Sequence, residues 1–186
     1  KDNWDVVGLI GTGSNDVILD DVFVPSHRML TLEQALSGNP PGAAVNGNEL
    51  WRIPFFAAIS LCLCAPAMGM AQGALETYVD MIGVRKPRGA ALSQPQSMAE
   101  FPTIQVRVAE ASAAIDAAKM LVRRDCQDIM RIMAEGRALT TEERARNKGD
   151  LSFAVKMARQ AVELLYESVG GAGLSNDSKT QRYWRD

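Results

Sequence analysis

The chain has 186 residues, 20 Lys+Arg against 22 Asp+Glu and a net charge of −2, enough length for one sizeable core or a main domain with a piece of another. That balance offers no electrostatic footprint for nucleic acid or an anionic membrane. One histidine and three cysteines, without a Cys-x-x-Cys, supply no metal-ligand set, and Cys62, Cys64 and Cys126 among apolar neighbours read as reduced core thiols of a cytoplasmic protein.

In chain order, residues 4–24 read as a β-hairpin, with Gly11, Thr12, Gly13, Ser14 and Asn15 as its turn. Two strands need partners, so the hairpin is expected to be the edge of a larger sheet. His27, the only histidine, sits at the strand end as a turn residue and has no neighbour that would make it a base. A Gly/Pro/Asn-rich stretch, 37–48, separates this portion from the helical part of the chain. We therefore expect the end of a middle β-domain at 1–30, a connecting segment at 31–50 and a C-terminal helical bundle domain at 51–186.

From Pro54 the period becomes helical, with Phe56, Ile59, Leu63, Ala67, Met70, Ala74, Tyr78 and Met81 on one face. Residues 53–71 carry no charge and have the length of a membrane span. Pro66, Ser60, Gly69 and two cysteines, with an apolar register that continues into charged turns, favour a buried bundle helix. Pro66 should kink it, and Ala65, Gly69 and Gly73 form a small-residue ridge that predicts close approach of another helix. Residues 86–100 read as a loop containing Pro87, Gly89, Pro95, Gln94 and Gln96.

A second helix over 102–135 keeps Ile104, Val108, Ala111, Ile115, Ala118, Val122, Cys126, Ile129 and Met133 in a near-heptad stripe. Thr140 and Glu143 form a capping-box pattern opening a third helix, striped by Leu151, Val155, Ala158, Val162, Leu165 and Val169. A fourth begins near 177–180 and holds Arg182, Tyr183, Trp184, Arg185 and Asp186. The fold class is mainly α: an up-and-down four-helix bundle whose last helix is truncated, preceded by the hairpin. A chain that begins at Lys1 and stops inside this last helix is expected to be a piece of a longer protein.

Between the third and fourth helices lie Gly170, Gly171, Ala172 and Gly173. The turn reads either as a glycine C-cap or as an N–H-lined cradle opening towards arginines, suited to a phosphate or diphosphate. No nucleophile–base pair or carboxylate pair stands out. Arg85 at the end of the first long helix, Gln105 and the glycine turn instead suggest an anionic cofactor that carries the chemistry.

Three separated motifs together resemble the acyl-CoA dehydrogenase superfamily: residues 11–25, residues 65–71 with Arg85, and residues 170–173 with Arg182, Arg185 and Asp186. The first and last look most like its flavin-dependent monooxygenase branch, the oxygenase components of two-component aromatic and phenol hydroxylases. The resemblance implies reduced FMN or FAD delivered by a separate flavin reductase, one atom of O2 transferred to an aromatic small molecule, and a homo-oligomer, expected to be a tetramer. It implies that Arg85 binds flavin phosphate, that Gly170, Gly171, Ala172 and Gly173 contact the flavin of a neighbouring subunit, that Arg52 lies near the isoalloxazine, and that Thr12 and Ser14 line the flavin side of the β-domain. For Arg52 a surface role, and for Thr12 and Ser14 ordinary turn chemistry, stay open. A dehydrogenase would place a catalytic glutamate near Ala58 or beyond Asp186; the first position holds none, so no catalytic residue is expected within the chain. Two alternatives remain: an acyl-CoA dehydrogenase oxidising a thioester at Cα–Cβ with FAD, and a non-catalytic oligomerisation bundle.

Overall fold

The computed structural model describes residues 1–86 and 97–186; the loop residues Pro87, Gly89, Gln94, Pro95 and Gln96 lie outside them. A short helix α1 (Leu32–Leu36) precedes three long helices, α2 (Phe55–Val84), α3 (Pro102–Ala134) and α4 (Thr141–Val169), and a short α5 (Lys179–Arg185). Their boundaries follow local chemistry. Proline at the first position opens α3, where its missing N–H costs nothing. The Thr140 hydroxyl accepts from the Glu143 N–H (3.1 Å) and Glu143 accepts from the Thr140 N–H (2.9 Å), closing the expected capping box at α4. Arg137 grips the same Glu143 with two nitrogens. That guanidinium, followed by the Thr140 N–H, holds the Glu143 carboxyl down at about 2. Ser178 caps α5 by accepting from Gln181.

The contacts fix the topology. The end of α2 reaches the end of α4 through Arg85 and Val169, whereas the start of α3 reaches the end of α4 through Arg107 and Ser168. Thus α2 and α4 run parallel and α3 runs against both, as an up-and-down bundle requires. Tyr78, Ile115 and Leu165 are fully buried at the centre, and a second cluster of Ile129, Ile132, Met133 and Leu139 closes the opposite end under Ile53, Ala57 and Leu61. Between them Arg124 of α3 pairs with Asp150 of α4 and with its neighbour Asp125, which also accepts from Asn147 (3.4 Å). Burial, then the Asp150 carboxylate, pushes Asp125 up against the pull of Arg124.

Three expectations need correction. The β-hairpin does not form: among the described residues there is no strand, and residues 1–24 are extended or in single turns. Asn3 bridges to Asp16 by side chain, Asn15 Oδ1 accepts from the Asn3 and Trp4 N–H groups, and Val7, Val17 and Phe23 remain exposed. A two-stranded ribbon with no third element to bury its face cannot sustain a ladder. The buried face of α2 keeps Ala74 and Tyr78 of the predicted stripe but is rotated from it in the first half of the helix. Cys64, Met68, Ala71, Ala74, Tyr78 and Ile82 face inward, while Leu63 is 71% exposed. The first half of α2 is apolar almost all round, so periodicity there cannot select a face. By length and composition α2 could cross a membrane, yet it packs on α3 and α4 through these residues. Finally, Cys62 is exposed, so only Cys64 and, in part, Cys126 are core thiols.

The small-residue ridge is used at one position. An ideal Cβ on Gly73 would lie 2.8 Å from the Tyr183 ring, whereas Gly69 has nothing within 4 Å. The helix that approaches is therefore α5. Trp184, next to Tyr183, stacks on Tyr166 of α4 with centroids 4.7 Å apart. A G73A variant sets two effects against each other: alanine favours the helix by about 1 kcal/mol, but the Tyr183 ring must leave. We expect amide hydrogen exchange to show α5 losing protection while α2 keeps its own.

Candidate functional site

A helix ends with four carbonyls that lack intrahelical partners, and the last turn of α4 contains no basic residue to satisfy them. Neighbouring helices supply the cations. Arg85, the residue that terminates α2 in an extended conformation (φ −80°, ψ 131°), donates Nη1 to the Val169 carbonyl at 2.9 Å and contacts the Met81 sulfur. Arg107, one turn into α3, donates Nη1 to the Ser168 hydroxyl at 2.6 Å, and that hydroxyl donates to the Leu164 carbonyl at 2.7 Å. Both arginines are half-buried. Among the described residues neither has a carboxylate within ion-pair distance, and residues 87–96 contain no Asp or Glu. Nε and Nη2 of Arg85 make no hydrogen bond among the described residues.

Beneath them lies Tyr78. Its ring is fully buried and its hydroxyl makes no well-formed hydrogen bond. Burial pushes the phenol up, while the Ser168 hydroxyl and then the Arg107 and Arg85 guanidiniums pull it back. Both cations therefore act on the same buried oxygen. Arg107, Ser168 and Tyr78 are not distinguishable in the sequence, where Arg107 looks like a solvated position on a charged helix face. A basic residue near the start of one helix together with a serine two residues before a glycine run was the only signal.

The glycine turn follows directly and its residues have separate reasons. Gly170 has φ 68° and ψ −159°, a region essentially closed to L side chains. A Cβ on Gly173 would meet the Tyr166 ring at 3.1 Å and the Val169 side chain at 3.4 Å. Gly171 has nothing within 4 Å, and with Ala172 it is exposed. The turn is thus a cap at one end, a packing contact at the other and an open backbone between. Arg85 and residues 170–173 are brought together as one site.

The remaining candidates lie elsewhere. Thr12 and Ser14 share a 3.1 Å contact, and Thr12 donates to the Leu9 carbonyl, whose residue's N–H donates to Asp186 (3.0 Å). An ideal Cβ on Gly8 would collide with the Arg185 carbonyl, so glycine lets this arm cross the end of α5. Beside that crossing a cleft of about 410 Å³ opens between Ala67, Met70, Ala158, Val162 and residues 183–186. Arg52 is at the other end of α2, exposed beside a cleft shared with Asn39, Met133 and Arg137. Thirty residues of helix separate it from Arg85, about 45 Å at 1.5 Å per residue. Gln105 is committed to the Ala99 carbonyl at 3.0 Å.

The model for the acyl-CoA dehydrogenase C-terminal domain matches residues 61–186. The chain is 44% identical over 191 residues to the "FADH(2)-dependent resorcinol hydroxylase, oxygenase component" of Rhizobium sp. (strain MTP-10005), covering all of this chain and 47% of that protein. It is 35% identical to the flavin-dependent monooxygenase oxygenase subunit HsaA of Rhodococcus jostii (strain RHA1), covering 48% of it. The chain spans about half the length of the curated relatives it matches. Among solved structures, the 3-HSA hydroxylase of Rhodococcus sp. RHA1 superposes over the whole chain with a TM-score of 0.88 at 35% identity, covering 47% of that chain. XiaF from Streptomyces sp., in complex with FADH2 and glycerol, superposes with a TM-score of 0.83 at 28% identity, covering 46%.

The division of labour in the turn is open to measurement by chemical denaturation. Gly170→Ala and Gly173→Ala should each destabilise by about 1–3 kcal/mol, the range for strained backbone and overpacking. Gly171→Ala should stay within about 0.5 kcal/mol of the unsubstituted protein.

Proposed function

Because the chain belongs to the acyl-CoA dehydrogenase family through the domain matched at residues 61–186, we propose that the whole protein is the oxygenase component of a two-component flavin-dependent monooxygenase. Its substrate is an aromatic small molecule, and a separate flavin reductase supplies the reduced cofactor. The observation that carries this reading is Arg85, held by one edge against the carbonyl that precedes the glycine turn and, among the described residues, without a hydrogen bond at the other. That geometry suits a phosphate oxygen, which a guanidinium binds in a charge-assisted hydrogen bond. The relatives' names, one of them FADH2-dependent and one solved with FADH2, favour reduced FAD over FMN.

Residues and group fit one another at this end of the bundle. Arg85 would take the diphosphate, and the exposed backbone at Gly171 allows close approach without a side chain in the way. When bound, reduced flavin supplies the reaction with O2 that no side chain here can perform. The protein's own part is to bind, orient and exclude water. Arg52 lies too far from Arg85 to serve the same flavin within one chain. This supports a composite arrangement, in which Arg52 of one copy and the Arg85 turn of another serve one cofactor, and hence a homo-oligomer, for which we propose a tetramer. The exposed apolar side chains of Phe56, Leu63 and Phe153 are consistent with that assembly. Thr12 and Ser14 remain candidate cofactor contacts from the N-terminal arm. A cytoplasmic location belongs to the same proposal.

Of the two dehydrogenase placements of the catalytic glutamate, the one near Ala58 is absent, since residues 53–75, through the first half of α2, contain no carboxylate, and the relatives named as monooxygenases favour oxygen insertion. Supplied with reductase, NADH, flavin, O2 and a panel of phenols, the whole protein should release a hydroxylated product. Hydrogen peroxide alone, together with acyl-CoA-dependent dye reduction, would sink the monooxygenase reading. Arg85→Met should weaken reduced-flavin binding by about 10- to 100-fold, the worth of one charged hydrogen bond, with anaerobic fluorescence titration as the readout.

A further inference from the structure

Arg107 is sequence-distant from the glycine turn, yet its guanidinium is directed at the last turn before it. The chain of contacts is short: Arg107 Nη1 to Ser168 Oγ at 2.6 Å, Ser168 Oγ to the Leu164 carbonyl at 2.7 Å, and one residue later the Val169 carbonyl that Arg85 binds at 2.9 Å. A cation at a helix C-terminus is favourable for stability alone. Two half-buried cations on one terminus, with no carboxylate within ion-pair distance of either among the described residues, exceed that need. Partly buried charge without an opposite partner is costly unless something anionic offsets it.

We propose that Arg107 is a positioning residue for the anion site: through Ser168 it fixes the last turn of α4, so that the Val169 carbonyl occupies only one edge of Arg85 and the other edge is kept for a phosphate oxygen. This rests on the flavin reading of the same site. Ser168 is the joint. Its hydroxyl both accepts from Arg107 and donates into the helix, so it cannot rotate away without losing one of the two bonds. Tyr78, fully buried close by, has a hydroxyl on which both guanidiniums act. Arg107 needs no contact with the cofactor to act in this way, and a lysine, with a single point of donation to the serine, would retain part of the effect.

The test uses the whole protein and measures reduced-FAD affinity anaerobically in Arg107→Met, Arg107→Lys, Ser168→Ala and Arg85→Met, alone and combined. If Arg107 acts through the turn, Arg107→Met and Ser168→Ala each weaken binding by about tenfold and Arg107→Lys recovers part of the loss. The Arg85→Met/Arg107→Met pair is then no weaker than Arg85→Met alone, because residues in one network are not additive. Fully additive losses would make Arg107 a direct ligand and overturn the positioning role. Unchanged affinity with a lower unfolding temperature would reduce Arg107 to a helix cap and also overturn it. Should Arg107→Met fail to fold, Ser168→Ala removes only one oxygen and decides the matter in the same titration. No flavin binding by the unsubstituted protein would overturn the functional reading itself, an outcome distinguishable from failure of the variants alone.

Discussion

Two helix C-termini lie side by side at one end of this bundle, and that is the constraint on which the rest depends. Because α2 and α4 are parallel, their negative dipole ends and unsatisfied carbonyls point the same way. Such an end needs cations, and the last turns of both helices lack them. The chain solves this with Arg85, placed as α2 breaks into extended backbone, and with Arg107, delivered by the antiparallel α3. These two contacts tie the ends of all three long helices together. The fully buried Tyr78, Ile115 and Leu165 hold the same arrangement laterally.

Much of the bundle was legible in the sequence, for identifiable reasons. The Thr140–Glu143 box marked the start of α4 because both hydrogen bonds are local, and the stripes of α3 and, apart from the exposed Val155, of α4 were readable because charges fill their other faces. The face of α2 was not, since a helix that is apolar all round carries no directional signal. The hairpin failed on a different ground: strand propensity describes residues that would suit a sheet, and pairing depends on partners that local sequence does not contain. Arg85 and the glycine turn were read together as an anion site from residue type and position, and resemblance gave them flavin roles, whereas Arg107 and Ser168, 61 positions apart, meet only because α3 and α4 are antiparallel. Nothing local to either residue announces the meeting.

The far end of α2 shows why a set of candidate residues is not a site. Arg52 and Arg85 bracket the same helix, and a rigid α-helix converts their sequence spacing into a fixed distance of about 45 Å. The two could meet at one site only across two copies of the chain; within one copy Arg52 is a surface residue at the far end. Thr12 and Ser14 are separated from Arg85 for a comparable reason. The N-terminal arm is tied to Asp186 and to the end of α5, not to the glycine turn.

Tyr166 links these two regions. Its ring lies against Gly173 and also stacks on Trp184, so the glycine turn and α5 share one aromatic neighbour. The same ring and the Val169 side chain crowd any side chain at Gly173, and the backbone angles disfavour one at Gly170. Structure alone therefore accounts for two of the three glycines, while Gly171 has neither strain nor a neighbour to justify it. A glycine without a structural reason, next to a guanidinium with one edge unbonded among the described residues, is the strongest local argument that this end of the bundle was shaped to meet a ligand as well as to close a fold.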